Sequence, residues 1–193
     1  MRCFLAIELP PAARAELEKL QRSLRVLDRQ IRWTRPGQIH LTLSFLGEVP
    51  DAEVPAICRA VADAAGGLPA FDLRLEGTGC FPPRGPVRVI WAGVRGDLPA
   101  LHHCQRTCLA VLESCGYPPE DRPYHPHLTI GRVRPGHGGP DVRTALEPVA
   151  GFTGRSFPVG ELVLFQSLLN PQGPHYLPLV RARLGPRASQ EAL

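Results

Sequence analysis

The chain has 193 residues, 44% apolar and 21% charged, with 22 Pro, 19 Gly and a net charge of +4. That length suits one domain of about 150 residues or one two-lobed unit, with a core large enough to need no disulfide or metal staple. No apolar run approaches the ~18 residues of a membrane span, and Cys3 to Ile7 is too short for a signal-peptide core; the expectation is a cytoplasmic protein, not a membrane, secreted or fibrous one.

Arg2 to Leu9 predicts a first strand. Pro10-Pro11 ends it, and Pro11 suits the first turn of a helix. That helix runs from Ala12 to about Leu27, with Leu17, Leu20, Leu24 and Leu27 at helical spacing. Ile39 to Leu46 alternates as a strand does. Glu53 to Ala65 reads as a helix stopped by Gly66-Gly67. Phe71 to Leu75 is a strand, followed by a turn-rich piece from Gly77 to Pro86. Val87 to Val94 is a strand, and Leu98 to Leu112 a helix ended by Gly116. Pro126 to Val133 is a strand, Asp141 to Leu146 a short helix, and Glu161 to Phe165 and Tyr176 to Val180 the last strands. Consecutive strands at 71–94 and 161–180 predict antiparallel pairing, hence an α+β fold. Residues 1–182 form one domain, and 183–193, which lack periodicity, read as a disordered tail.

Two segments repeat. Residues 39–43 read IHLTL and residues 126–130 read PHLTI, with His40 and His127 87 residues apart. Seven His and seven Thr in a chain of this length predict about 0.25 His-x-Thr pairs by chance. The spacing, near half the chain, suggests internal duplication. On a strand, i and i+2 share a face. His40, Thr42 and Ser44 then face one way, and Leu41, Leu43 and Phe45 the other. His127 and Thr129 likewise oppose Leu128 and Ile130. If the copies lie side by side, two imidazoles and two hydroxyls converge. Two imidazoles across a small anion make an acid–base pair, because histidine titrates near working pH. The hydroxyls of Thr42 and Thr129 can donate to phosphate oxygens.

Other residues carry weaker signals. His125 lies two before His127, and Cys104 and Cys108 sit at i, i+4 on a helix. Neither group completes a metal-ligand set, and the cysteines read as small apolar residues. The six cysteines are expected to be free thiols. Trp33 and Trp91 are candidates for base stacking or burial, and His175 and Tyr176 for substrate contact. All but one of the 22 basic residues are Arg, whose planar fork suits phosphate.

The pattern resembles the two-histidine (2H) phosphoesterase superfamily, and within it the RNA 2′,3′-cyclic phosphodiesterases once called 2′-5′ RNA ligases. The likeness is carried by IHLTLSFLGEVP and RPYHPHLTIGRV, with support from MRCFLAIELP, GCFPPRGPVRVIWAGV and ELVLFQSLLNPQGPHYLPL. It implies a bilobal pseudo-two-fold fold, with antiparallel sheets lining a central cleft and helices outside. It implies hydrolysis of a 2′,3′-cyclic phosphate on an RNA end or nucleotide to a 2′-phosphate, with no metal and no cofactor, and a weak reverse 2′-5′ ligation. His40 and His127 are then catalytic, His40 as acid and His127 as base, with Thr42 and Thr129 on the phosphate. Arg132, five residues after His127, matches a phosphate-contacting Arg. Strict alternation puts it on the wrong face, so its role requires a bend at Gly131 or a long side chain that curls back. Phe45, similarly placed after His40, either lines a base pocket or packs in the core. The expected partner is RNA or a nucleotide with a cyclic phosphate end, met by a monomer. The alternatives are a non-catalytic RNA-binding module, or a related hydrolase of 2′-5′ linked oligonucleotides or of a small sugar cyclic phosphate.

Overall fold

Strand β1 (Arg2–Glu8) is apolar on both faces, and Cys3 to Ile7 are all buried. It is covered twice, so it lies inside a sheet and not at its edge. The computed structural model describes residues 1–170 and 173–187. Pro11 opens α1 (Pro11–Ser23), which buries Ala13, Leu17 and Leu20. The helix stops four residues short of Leu27, where a 3-10 turn takes over. The chain continues through β2 (Ile31–Trp33), β3 (His40–Glu48), α2 (Val54–Gly66), β4 (Phe71–Phe81) and β5 (Val89–Gly96). Then come α3 (Leu98–Ser114), β6 (His127–Val133), α4 (Pro140–Thr144), β7 (Thr153–Val159), β8 (Glu161–Asn170) and β9 (Gly173–Arg183). Asp97 caps α3, its Oδ1 accepting from the Ala100 N–H at 3.0 Å. Leu101, Cys104, Cys108 and Leu112 form the buried stripe of α3, so the two cysteines pack as apolar residues.

The strand order is β7-β4-β5-β6-β3-β1-β8-β9, with β2 paired to β6. Every named pairing is antiparallel. The order is symmetric about its middle. β1-α1-β3 and β5-α3-β6 are the same unit: an antiparallel strand pair joined by a helix. Each unit gains two outer strands, β8 and β9 in one lobe, β4 and β7 in the other. The lobes meet where Leu41 of β3 opposes Leu128 of β6. Both leucines are buried in the main core with α1, α2 and α3. The opposite face of the sheet is the one that carries the histidines.

Three features depart from the sequence reading. β2 and β7 are short or lie at the sheet edge, and β7 carries Pro158, a residue tolerated there. β4 runs on through the turn-rich Gly77 to Phe81. Gly77 takes φ +78° at a bulge, and a Cβ on Gly79 would lie 2.2 Å from the Trp91 ring, so both glycines serve a strand and not a loop. Finally, residues 183–187 are fixed to the body. Gly185 donates to Leu68 O at 2.7 Å and accepts from Ala70 N at 3.1 Å, and Arg187 pairs with Asp72. The expected tail beyond them, 188–193, lies outside the described residues.

Candidate active site

His40 opens β3 and His127 opens β6. Extending the Leu41–Leu128 register by one residue each way places His40 beside Thr129 and Thr42 beside His127. Four polar side chains thus stand around one apolar contact, all on the face opposite the two leucines. Each ring is fixed in the same way. Nδ1 of His40 donates to the Gln38 carbonyl at 2.9 Å, and Nδ1 of His127 donates to the His125 carbonyl at 2.7 Å. In both, Nε2 is left as the nitrogen that takes or gives a proton.

The surroundings differ. The His40 ring stacks on Phe4 at 4.7 Å between centroids and meets the edge of Tyr176 at 5.2 Å. Phe165 lies beyond, and Phe4, Ala6, Val163 and Phe165 form a small apolar cluster on this face. A cavity of about 150 Å³ opens beside the ring, lined by Glu8, Gln38, Phe165, His175 and Tyr176. Among the aromatic rings of the described residues, His127 meets only the edge of Phe81, at 5.0 Å. Trp91 lies next to Phe81, half-buried on the floor of this lobe. Burial pushes His40 down to about 4, the Gln38 bond and Glu8 opposing it while Arg132 and His127 add to it. His127 is also lowered, by burial first and then by Arg132 and His125 against its own carbonyl bond. The register of β3, β5 and β6 sets the two rings and Arg132 on one face, and the Arg132 charge lowers both rings.

Arg132 reaches that space because β6 does not alternate strictly. Trp91 opposes Thr129, yet the next residue of β5, Ile90, opposes Gly131. The extra residue is a bulge: Ile130 and Gly131 are both buried, and Arg132 returns to the histidine face. The bend expected at Gly131 is this bulge. A Cβ on Gly131 would lie 2.6 Å from Ile31 Cγ2. The Ile130 carbonyl accepts from Thr34 N and from Nε2 of the buried Gln21 at 2.8 Å.

β3 has the same device. Ala6 opposes Thr42, and Leu5 opposes Ser44. The alternation flips, so Ser44 turns away from the His40 face and Phe45 joins it, contrary to the strict-alternation expectation. Phe45 is 53% exposed, 6.1 Å from Phe4, and is not a core residue. Sequence reasoning missed Phe4, Phe81, Phe165 and Gln21. An aromatic after the first strand residues is a visible signal for Phe4; nothing local marks the other three. Among the described residues, no group of three or more His, Cys, Asp or Glu could hold a metal ion, and no helix is long and apolar enough to cross a membrane. The six cysteines are free.

Residues 7–91 and 100–176 match the LigT like Phosphoesterase family. The chain belongs to that family. A Methanothermobacter thermautotrophicus protein named RNA 2′,3′-cyclic phosphodiesterase is 33% identical over 188 residues, covering 95% of this chain and 99% of the relative. A Thermus thermophilus protein of the same name is 36% identical over 190 residues, 95% of this chain and 90% of the relative. Among solved structures, a Thermus thermophilus protein superposes with a TM-score of 0.81 at 31% identity, over 97% of this chain and 100% of that one. Escherichia coli LigT complexed with 3′-AMP gives 0.74 at 27% identity, over 95% and 97%. The LigT-like architecture, a curled antiparallel sheet with helices behind it, is the one described above.

Proposed function

We propose that this protein hydrolyses the 2′,3′-cyclic phosphate of an RNA end or nucleotide to a 2′-phosphate, without a metal ion. The observation that carries the reading is the pair of imidazoles with pinned Nδ1 and free Nε2, one from each lobe, beside Arg132. Binding alone needs no such pair, which favours an enzyme over an RNA-binding module. The names of the relatives support the same substrate class.

The step is an in-line displacement. Water attacks phosphorus opposite O3′ and its proton passes to Nε2 of His127. The P–O3′ bond breaks, and Nε2 of His40 protonates O3′. Thr42, Thr129 and Arg132 hold the non-bridging oxygens, and Phe45 stacks on the base. Proton exchange with solvent then resets the pair. A 5′-hydroxyl in place of water gives a 2′-5′ linkage by the same steps, the weak ligation. Since burial disfavours charge on His40, the bound phosphate anion must raise its pKa for it to serve as the acid. All groups used come from one chain, so a monomer suffices; the free cysteines fit a cytoplasmic setting. The test is a panel of cyclic nucleotides, RNA with cyclic ends, 2′-5′ linked oligonucleotides and a small sugar cyclic phosphate, with EDTA present. Products are read by phosphorus NMR. Conversion of the first two to 2′-phosphates is expected; activity that vanishes with EDTA and returns with a divalent ion refutes metal independence.

A further inference from the structure

One cation on the histidine face has no part in the site so far. Arg32 of β2 stands directly opposite Arg132 of β6 in the antiparallel ladder, so both side chains leave the same face. Both are exposed. Like charges placed opposite each other destabilise a strand pair. Among the described residues neither has a carboxylate within ion-pair distance, although several other arginines do. The two heads serve different places. Arg132 acts on His40, His127 and Tyr176. The Arg32 guanidinium extends instead to Gly173, where a Cβ would lie 3.0 Å from its Nη2. β2 is joined to the His127 lobe, and Gly173 begins β9 in the His40 lobe. Arg32 therefore spans the mouth of the groove, outward from the reacting centre.

We propose that Arg32 binds the phosphodiester adjacent to the cyclic phosphate, one nucleotide toward the 5′ side, and so selects an RNA end over a cyclic mononucleotide. The inference rests on the cyclic-phosphate reading of the site. Two successive phosphates make two guanidiniums rooted on facing residues favourable: Arg132 takes the reacting one, and Arg32 takes its neighbour through its planar fork. A cyclic mononucleotide has one phosphate and leaves Arg32 without a partner.

The test is calorimetric binding of two products, a nucleoside 2′-phosphate and a dinucleotide ending in a 2′-phosphate, to wild type, Arg32→Gln and Arg32→Lys. Arg32→Gln should weaken the dinucleotide about tenfold more than the mononucleotide, as the loss of a charge-assisted contact. It should also lower the dinucleotide salt slope by about 0.7. Arg32→Lys should restore the slope but not the full affinity. The thermal midpoint of Arg32→Gln should equal or exceed that of wild type, since one of two like charges rooted on facing residues is removed. Equal losses on both ligands, no loss on either, or a lowered midpoint overturns the inference. Product binding needs no turnover. Wild type that binds the dinucleotide through Arg32 yet cleaves no cyclic phosphate would sink the proposed reaction and leave the role of Arg32 standing.

Discussion

The His40 lobe and the His127 lobe hold their imidazoles identically and surround them differently. In each, the ring opens a strand, gives Nδ1–H to a carbonyl two residues back, and is followed by a bulge that turns the fifth residue onward into the groove. That fifth residue is Phe45 in one lobe and Arg132 in the other. One ring sits among Phe4, Phe165 and Tyr176; the other, among the described residues, meets the Phe81 ring alone. Under the proposed reaction the shared backbone device supplies the two imidazoles that move protons. The differing side chains then suit the two ends of the proposed substrate, an apolar base at one side and an anion at the other.

The largest effect should come from breaking the shared part. His40→Ala or His127→Ala should each lower kcat by ~10²–10⁴-fold, and the pH profile of each variant should lose one limb. In wild type the alkaline limb of kcat/KM should fall below pH 6.5, since both rings are lowered. In kcat, which reports the bound state, that limb should move up as the phosphate anion favours the charged ring. Identical limbs in the two profiles would contradict the acid role of His40.

Next is the unequal burial. The folded His40 ring titrates near 4, against 6.5 as its ordinary value. Between those values the unfolded chain holds the extra proton. Stability is therefore whole above pH 6.5 and falls as pH drops toward 4, by about 3 kcal/mol in all. His40→Asn should flatten that part of the curve in urea titrations at stepped pH; His127→Asn should flatten it less.

Exchanging the divergent residues sharpens the contrast. Arg132→Ala should cost roughly 1.5–3 kcal/mol in kcat/KM, and Arg132→Lys should recover only part. Phe45→Ala should act chiefly on KM, by roughly 1–3 kcal/mol if a base stacks there. Steady-state kinetics on one cyclic nucleotide compares them directly.

The smallest effect on chemistry, and the most diagnostic of the bulge, is Gln21→Leu. It leaves the Ile130 and Thr34 carbonyls short of a buried donor. A stability loss of roughly 1–3 kcal/mol is expected in denaturant melts. Since the bulge aims Arg132, the variant should also bind phosphate more weakly. Full phosphate affinity alongside the stability loss would separate Gln21 from the site.

The histidines and threonines were legible because a repeated His-x-Thr on a strand has one geometric reading. The α+β class followed from strands with no helix between them. Strict alternation alone puts Phe45 and Arg132 on the wrong face, since it counts residues and a bulge adds one; only the bend allowed at Gly131 and the base-pocket option for Phe45 fit the structure. Gly131 marked the second bulge faintly; nothing in Leu43-Ser44 marked the first. β2 has three residues, too few to show a period, and β7 hides behind Gly154 and Pro158. The aromatic box around His40 draws on β1, β8 and β9, which only the tertiary fold brings together.

The contact of Leu41 with Leu128 has the form of an isologous dimer interface folded into one chain. In a symmetric pair of half-length proteins, this leucine would meet its own copy on the rotation axis. Each histidine would then lie beside the other copy's threonine. A half-chain owns one imidazole, so the proposed acid–base pair would form only at pairing. Covalent fusion removes the dependence on concentration and frees the two halves from identity. A symmetric ancestor must carry the same residue at both flipped positions; the fused chain carries a phenylalanine at one and an arginine at the other.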